Sequence, residues 1–459
     1  MMNSLKHYGG VTFVAALFFF TAFLIAKSEN AQNLALLRWD AAGYYAYLPA
    51  FFIHQDATFG FYEPKSGKKA NEFIRNKSGW YLNKYGCGVA MLQSPFFLAG
   101  HIVAKRTLPE AAGFGWPYYY AVMIGAALYG ALGLFFLGLS LQTFFSKTAS
   151  ILTITALGFG TNLFYYSSFE GMMSHVYSFF LFALLLWLTL QWKKKFAVRW
   201  MLALALTGGL IIATRLSNGL VLLVPLLWGL KSWKDFANQS KQVFLHAKWL
   251  PVALVCFILP SLPHLLYLHH ITGQWMIEAY SGEHFFWNQP LAHKVLFSFR
   301  KGWFVWSPVL LLGGLGFFFI KKHQGTFAIS VFLILNLYLV SSWWCWWYGG
   351  GFGMRALIES SVFMAIPMAA FIDQIRKSKV LSYAFAAIFP WLIALNLFQT
   401  HQYQKGIIHY DAMTEKAYWE IFGYPHPVPQ TIMDKRNQYL EYTDAAKAME
   451  DANYRAALE

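Results

Sequence analysis

Asp40 is the residue of this sequence best placed to act as a general base. It follows the first apolar run and stands in the aromatic segment Arg38-Trp39-Asp40-Ala41-Ala42-Gly43-Tyr44-Tyr45. Desolvation beside a membrane disfavours the ionised carboxylate, so such a group accepts a proton from a substrate more readily. The position also suits an exposed aspartate that caps a short helix. Arg38, Tyr44 and Tyr45 are the candidates for substrate contacts beside this acid.

Cationic side chains that could bind a phosphate occur at the predicted outer ends of several helices. They are Lys84, Arg215, Arg300, Lys301 and Arg355. Arg355 follows the glycine-rich segment 348–353, which includes Gly350, and precedes a predicted helix whose N-H groups favour an anion. Such a loop can also be a plain turn, and Arg215 can instead extend to lipid headgroups. Lys84, Arg215, Arg300 and Arg355 are the candidate ligands of a donor phosphate.

Other polar and aromatic groups at outer helix ends allow two interpretations each. Glu170 and His175 bracket a helix start and could face the cavity of Asp40, or His175 could be structural. Trp346 and Trp347 belong to the run 343–348, which suits either an interfacial belt or a platform for a sugar ring or an isoprenoid tail. We include these four residues among the candidate substrate contacts.

A metal site has weak support in the sequence. Carboxylates and imidazoles crowd one outer loop, at Glu278, Glu283, His284 and His293. Their spacing matches no metal motif, so we assign no metal ligand and leave a divalent metal open as the only cofactor. The three cysteines show no CxxC spacing and predict neither a disulfide framework nor a zinc site.

The elements that position these residues are predicted to be membrane helices. Hydrophobic residues make up 57% of the 459 residues and charged residues 12%, a balance typical of an integral membrane protein. The net charge of +15 would suggest nucleic acid in a soluble protein. In a membrane protein it marks cytoplasmic loops, so we predict no nucleic-acid partner.

Apolar runs predict an all-α polytopic protein with about 11 transmembrane helices. The runs are Gly10 to Ala26, 116–144, 149–166, 172–190, 200–213, 217–230, 250–268, 303–320, 326–340, 357–372 and 380–397. Basic connections at 193–199, 231–248, 321–322 and 376–379 favour the cytoplasm together with the N-terminus. The long first loop 28–115, with juxtamembrane helices, and the polar tail 398–459 then lie outside. The run Tyr85 to Ala104 would invert this topology if it crossed, so we place it along the outer face or dipping into it.

Several of these motifs together resemble the polyprenyl-phosphate-dependent membrane glycosyltransferases of the GT-C fold. That class includes aminoarabinose transferases and protein O-mannosyltransferases. Asp40 matches the acid of their first outer loop, although Ala41 stands where many members carry a second acid. Asn83-Lys84-Tyr85-Gly86 is similar to their phosphate-contacting lysine element, Glu170 to an acid at an outer helix start, and the segment 346–355 to an aromatic-glycine-arginine segment.

The resemblance implies a transferase domain at 1–397 and a small extracytoplasmic tail at 398–459. It implies transfer of a sugar from a polyprenyl-phosphate donor to a hydroxyl of a glycan, lipid or protein, at the extracytoplasmic face of the cell membrane. Asp40 would act as general base. The main alternative is a lipid or sugar-lipid transporter or flippase, although the sequence shows none of the internal repeats common in transporters. A noncatalytic assembly subunit is the third hypothesis.

Overall fold

The computed structural model describes residues 2–29, 37, 39–62, 73–75, 81–277, 282–320 and 323–458. These residues form two compact units. The first comprises residues 1–140 and 166–279, and the second residues 141–165 and 280–459. The polar tail 398–459 belongs to the second unit, and the predicted transferase domain at 1–397 stays a prediction.

The first unit is built mainly from helices. Their bounds are Met2–Glu29 (α1), Asp40–Pro49 (α2), Gly88–Thr107 (α3), Trp116–Leu141 (α4), and, after the helices of the second unit, Ser174–Lys194 (α7), Val198–Thr214 (α8), Leu223–Leu227 (α9), Trp233–Leu245 (α10), Leu250–Ile258 (α11) and Leu262–Thr272 (α12). A two-stranded antiparallel sheet joins α2 to α3, with Phe73–Arg75 (β1) paired to Tyr81–Asn83 (β2) so that Ile74 lies opposite Leu82.

The second unit has shorter and more interrupted helices. They are Lys147–Phe159 (α5), Leu163–Ser168 (α6, which ends in the first unit), Ala292–Phe297 (α13), Trp303–Trp306 (α14), Leu311–Gly316 (α15), Thr326–Ser342 (α16), Ser361–Ile375 (α17), Lys379–Gln404 (α18), Glu415–Ile421 (α19), Gln430–Gln438 (α20), Ala445–Glu450 (α21) and Ala452–Ala457 (α22). The last four belong to the tail.

Four of the described helices are long and apolar enough to cross a membrane. They are Tyr8–Lys27 within α1, Trp116–Leu141, Ser174–Lys194 and Lys379–Gln404, and the bent segment of α10 and residues 247–258 would be a fifth. The helix α3 has 20 residues but is not among them. The predominantly helical, membrane-type architecture is therefore confirmed, whereas the count of eleven and the location of the N-terminus stay predictions.

Proline explains why several predicted spans are interrupted. The run 303–320 is divided into α14, a 3-10 turn at Pro308–Leu310, α15 and a second 3-10 turn at Phe317–Phe319. The run 250–268 is divided between α11 and α12 around Pro260 and Pro263. Because proline lacks the N-H that continues a helix, an apolar run that contains it is often not one straight helix.

A close helix crossing lies at the centre of the second unit. Gly313 and Gly316 of α15 face Met364 and Pro367 of α17, and a Cβ added at Gly316 would lie 1.8 Å from the Pro367 carbonyl oxygen. Small residues let helices in membranes approach to backbone contact. This packing therefore requires glycine at position 316.

We predict that Gly316→Ala lowers the stability of the protein by about 1–3 kcal/mol, because the new methyl forces the two helices apart. Gly314→Ala is the matched control, since a Cβ there meets no atom within 4 Å. The thermal unfolding midpoint of the purified protein in detergent measures both effects. Equal midpoints for the two variants would contradict this account of the crossing.

Candidate functional site

Asp40 is the first residue of α2, and an unusual backbone conformation precedes it. Trp39 has φ 51° and ψ −130°, a combination that side chains other than glycine rarely adopt. Trp39 makes no side-chain cap bond to the helix, and its indole is 63% exposed. Strain of this kind persists where the surrounding structure imposes it, often at functional sites. The carboxylate of Asp40 is half-buried at the helix N-terminus, where the helix dipole favours a negative charge.

A tyrosine from the next segment holds the carboxylate of Asp40. The hydroxyl of Tyr85 donates to Asp40 Oδ1 at 2.8 Å. The Tyr85 ring lies directly on Gly43, where an added Cβ would be 2.1 Å from ring atom Cδ2. Tyr44 packs against the same ring, with centroids 5.0 Å apart. Tyr85 and Gly43 were not among the predicted site residues, although the spacing of three residues from Asp40 to Gly43 would put both on one helix face.

The segment 83–86, which carries Lys84, is fixed to α2 and α12 by hydrogen bonds. The side-chain amide of Asn83 donates to the Gly43 carbonyl at 2.7 Å, and the backbone N–H of Asn83 donates to the Tyr267 hydroxyl at 2.8 Å. Tyr47 donates to the Tyr85 carbonyl at 2.7 Å. These bonds fix the backbone on both sides of Lys84, whose ammonium lies 5.7 Å from the centroid of the Tyr85 ring.

Two glycines after Lys84 bring this segment against the end of α8. A Cβ at Gly86 would lie 2.2 Å from the Ala213 carbonyl oxygen, and one at Gly88 would lie 2.5 Å from the Thr214 amide nitrogen. Arg215 is the next residue of the chain. The segment of Lys84 and the residue Arg215 are therefore neighbours in the first unit.

Arg215 in turn contacts the start of α7. Its Nη1 lies 3.4 Å from His175 Nδ1, and the His175 ring, 3% exposed, packs against Tyr166 with centroids 5.4 Å apart. Glu170 is half-buried in the turn before α7, where its carbonyl accepts from the Met173 amide at 3.1 Å. A carboxylate, two cations and an imidazole thus come from α2, the segment before α3, the end of α8 and the start of α7.

Tyr44 and Tyr45, two of the predicted substrate contacts beside Asp40, are buried in the structure. Tyr45 is fully buried and donates to the Gly113 carbonyl at 2.6 Å, so its hydroxyl serves packing rather than a substrate. Tyr44 is 5% exposed and supports the Tyr85 ring. Arg38 lies outside the described residues.

In the second unit, Arg300 is bound by the tail. Its side chain has no exposed surface and lies 3.7 Å from Asp411 and 3.7 Å from Glu441, while Nη2 donates to Thr443 at 2.6 Å. Burial lowers its pKa, and both acids oppose that effect. A guanidinium enclosed in this way offers no surface to a phosphate, so the structure favours a structural role over the predicted donor contact.

The tryptophan pair of this unit is also enclosed. Trp346 is fully buried and donates to the Arg455 carbonyl at 3.3 Å. Trp347 is 4% exposed, and the Arg300 guanidinium lies over its ring, 4.8 Å from the ring centroid. Neither ring can form a lipid belt or an open sugar platform in this arrangement. Both predicted interpretations of the pair give way to packing against the tail.

The glycine-rich loop is held by the tail and by Lys301. The Gly351 amide donates to the Tyr410 carbonyl at 3.1 Å, and the buried Lys301 ammonium donates to the carbonyls of Gly351 and Tyr410. Gly350 is exposed, and Arg355 is half-buried at the start of the 3-10 turn Arg355–Leu357. The predicted anion contact of Arg355 and the role of Gly350 stay predictions.

The described residues contain no group of three or more His, Cys, Asp or Glu side chains suited to a metal ion. Within the predicted cluster, Glu283 accepts from Trp344 Nε1 at 2.8 Å. Glu278 lies outside the described residues, so this cluster is only partly described.

Comparison with solved structures shows which fold this is. The crystal structure of the Archaeoglobus fulgidus oligosaccharyltransferase in the apo form matches with a TM-score of 0.50 and 12% identity, over 95% of this chain and 61% of that chain. The chain has the GT-C fold. At this identity the likeness establishes the fold alone, and the chain spans less than two thirds of the length of that enzyme.

Two further matches to the GT-C fold are weaker. The oligosaccharyltransferase AglB from Archaeoglobus fulgidus, in complex with an inhibitory peptide and a dolichol-phosphate, matches with a TM-score of 0.49 and 13% identity over 97% and 61% of the two chains. The Archaeoglobus fulgidus enzyme with Zn and sulfate matches at 0.44 and 13%, over 95% and 58%. The sequence matches no family model and no curated protein.

We predict that Gly43→Ala costs about 1–3 kcal/mol of stability in the wild-type background and much less in a Tyr85→Ala background, because removal of the ring vacates the space for the methyl. Thermal unfolding of the two single variants and the double variant measures this coupling.

Gly9→Ala serves as the control in both backgrounds, since a Cβ at that helical position meets nothing within 4 Å. Additive costs for Gly43→Ala and Tyr85→Ala would show that Tyr85 does not lie on Gly43.

Proposed function

We propose that this chain is a membrane glycosyltransferase that moves a sugar from a polyprenyl-phosphate donor to a hydroxyl group of an acceptor. The observation that carries the proposal is that the segment of Lys84 contacts both the helix of Asp40, through the Tyr85 hydroxyl, and the end of α8, which Arg215 follows. Tyr85 holds the acid, and the packing of Gly86 and Gly88 on the end of α8 brings the two cation-bearing segments together. An acid can take the proton of an acceptor hydroxyl, and cations beside it can stabilise a leaving phosphate.

The geometry of α7 supports an extracytoplasmic location for this site. His175, which contacts Arg215, lies in the first turn of α7, and Lys193 and Lys194 lie in its last turn. A helix rises 1.5 Å per residue, so the two ends are about 30 Å apart, which is the thickness of a bilayer core. Basic connections favour the cytoplasm. The site at the other end of α7 would then face outwards, as expected for a protein integral to the cell membrane.

In the proposed reaction, the acceptor oxygen attacks the anomeric carbon of the donor sugar. Asp40 takes the proton of that hydroxyl, and the bond between the anomeric carbon and the phosphate oxygen breaks. Lys84 and Arg215 stabilise the charge that develops on the departing polyprenyl phosphate. Because the transition state has oxocarbenium character, a nearby carboxylate also stabilises the sugar electrostatically.

Tyr85 orients the base in this proposal rather than reacting itself. Its bond to Oδ1 fixes the rotation of the carboxylate, and its own position depends on Gly43 and on the backbone bonds of segment 83–86. Fixing the orientation of a catalytic group in advance lowers the barrier of the reaction. His175 would similarly orient Arg215.

The fold supports a lipid-linked donor. The oligosaccharyltransferase that shares the fold is a glycosyltransferase by name, and a polyprenyl tail needs an enzyme embedded in a membrane. The acceptor class, a glycan, a lipid or a protein, depends on pocket shape and is therefore the open part of the proposal.

We predict that Asp40→Asn lowers the transfer rate by about 10²- to 10⁴-fold, because an amide cannot accept the proton. Lys84→Gln and Arg215→Gln are expected to slow transfer as well, through loss of charge at the leaving phosphate. The assay uses the purified protein in lipid, a panel of polyprenyl-phosphate sugars and several hydroxyl acceptors.

Glu110→Gln is the matched control, an exposed acid of the same outer loop, and it should keep wild-type activity. Full transfer activity of Asp40→Asn would rule out the proposed base. Movement of a labelled lipid between leaflets, with no transfer from any donor, would instead establish the flippase.

A further inference from the structure

The helix α10 presents an apolar face that no other part of the described first unit covers. It begins at a well-formed cap, in which Ser232 Oγ accepts from the Asp235 amide at 3.3 Å and donates to the Asp235 carboxylate at 2.9 Å. None of its residues is buried. The spacing of Trp233, Phe236 and Phe244 puts them on one side of the helix, and they are 85%, 50% and 77% exposed. Such a surface needs an apolar partner.

Contacts at both ends fix how α10 sits on the first unit. Gln239 donates to the Trp228 carbonyl at 2.8 Å. The ring of His246, at the C-cap, packs against Trp192 at the end of α7, with centroids 5.6 Å apart. The helix can therefore neither rotate freely nor fold its apolar face inwards.

The chain after α10 leads directly into the strongly apolar helix α11. Residues 247–258, which include α11, meet α10 at an angle of 62°. α11 has no buried residue and is strongly apolar, as expected of a helix that faces lipid. Because spanning helices tilt by only about 20° on average, an angle of 62° to a helix that enters the bilayer leaves α10 strongly oblique to the membrane normal.

The polar border of α10 is basic, and a second basic segment lies beside it. Lys234 and Lys241 flank the apolar face, and Lys231 and Lys248 lie at the two ends. The contact of Trp192 with His246 brings Lys193–Lys195, the residues that follow Trp192, next to the C-terminal end of α10. Lysines beside an aromatic helix face match the negative headgroups of a membrane surface.

We propose that α10 lies in the membrane interface and, with the adjoining basic segment, binds anionic phospholipid headgroups. The occupant is the bilayer that α11 enters, which makes α10 a continuation of the lipid-facing surface of the first unit. Trp233, Phe236 and Phe244 insert among the acyl chains, and the lysines contact the phosphates. This surface lies at the end of α7 opposite to Asp40 and Arg215, and so acts independently of the proposed transfer reaction.

The experiment places a fluorescent label on the apolar or the polar side of α10 in the full-length protein. Single cysteines replace Phe236 or Phe244 on the apolar face, or the exposed Asn238 on the polar face, in a Cys256→Ser background. Cys87 and Cys345 are buried, and burial raises the pKa of their thiols to about 11 and about 12, so both react far more slowly with the label at neutral pH than an exposed cysteine does. The labelled protein is reconstituted with brominated phosphatidylglycerol or brominated phosphatidylcholine, whose acyl chains quench the label.

We expect strong quenching at positions 236 and 244, weak quenching at 238, and more quenching by phosphatidylglycerol than by phosphatidylcholine. Lys234→Gln with Lys241→Gln should reduce this preference, by about fivefold per lysine in local lipid affinity. The control variant Lys405→Gln with Lys416→Gln removes the same charge from the tail and should leave the preference for phosphatidylglycerol unchanged.

Two results would overturn the proposal. Absence of quenching at 236 and 244 by either lipid would show that the face is covered by protein, such as a second copy of the chain. Equal quenching by both lipids would show that the lysines do not select anionic headgroups.

Discussion

The contact of the Tyr85 ring with Gly43 is the constraint on which the rest of the candidate site depends. It lets the Tyr85 hydroxyl reach Asp40. Because Lys84 is the residue before Tyr85, the same contact also holds Lys84 beside α2. A side chain at position 43 would push the ring away, and the bond to Asp40 would be lost with it. The hydrogen bond from the Asn83 side chain to the Gly43 carbonyl acts in the same direction, since it also fixes α2 against this segment.

The two units bury their cations to different degrees. In the first unit, Lys84 and Arg215 are half-buried, and the Tyr85 ring and His175 are among their neighbours. In the second unit, Arg300 and Arg455 are fully buried and bonded to the tail and to backbone carbonyls. Burying a guanidinium is costly unless it is paired. The tail supplies the partners of Arg300, and the carbonyls of Gln289 and Ser341 accept from Arg455, so the tail and the rest of the second unit hold each other. Position in the sequence alone does not distinguish the two cases.

Composition and apolar patterning predicted the helical membrane architecture, because burial of apolar helices in lipid depends on little else. The motifs that resemble GT-C glycosyltransferases predicted the fold, which the archaeal oligosaccharyltransferase shares. They also selected Asp40 and Lys84, which Tyr85 and its hydrogen-bonded segment connect. Apolar periodicity alone did not predict the interruption of spans at Pro308 and Pro260, where the prolines themselves carried the signal.

The burial of Arg300, Trp346 and Trp347 could not be predicted either, because it depends on contacts of this region with residues more than a hundred positions away in the tail. Trp346 and Trp347, predicted to form part of a belt or a sugar platform, are buried in the second unit, and Trp346 donates to the tail. Long-range packing of this kind leaves no local signal. Gly43, by contrast, left a weak one: a glycine on the face of a short helix one turn after an acid leaves room for another side chain above that acid.

The most direct test of the central claim is a structure of the full chain with a nonhydrolysable polyprenyl-phosphonate sugar bound. We expect the phosphonate oxygens within hydrogen-bond distance of Lys84 and Arg215, and the anomeric carbon on the side of Asp40 that an acceptor can reach. A donor analogue bound elsewhere, with neither cation engaged, would contradict the proposed site.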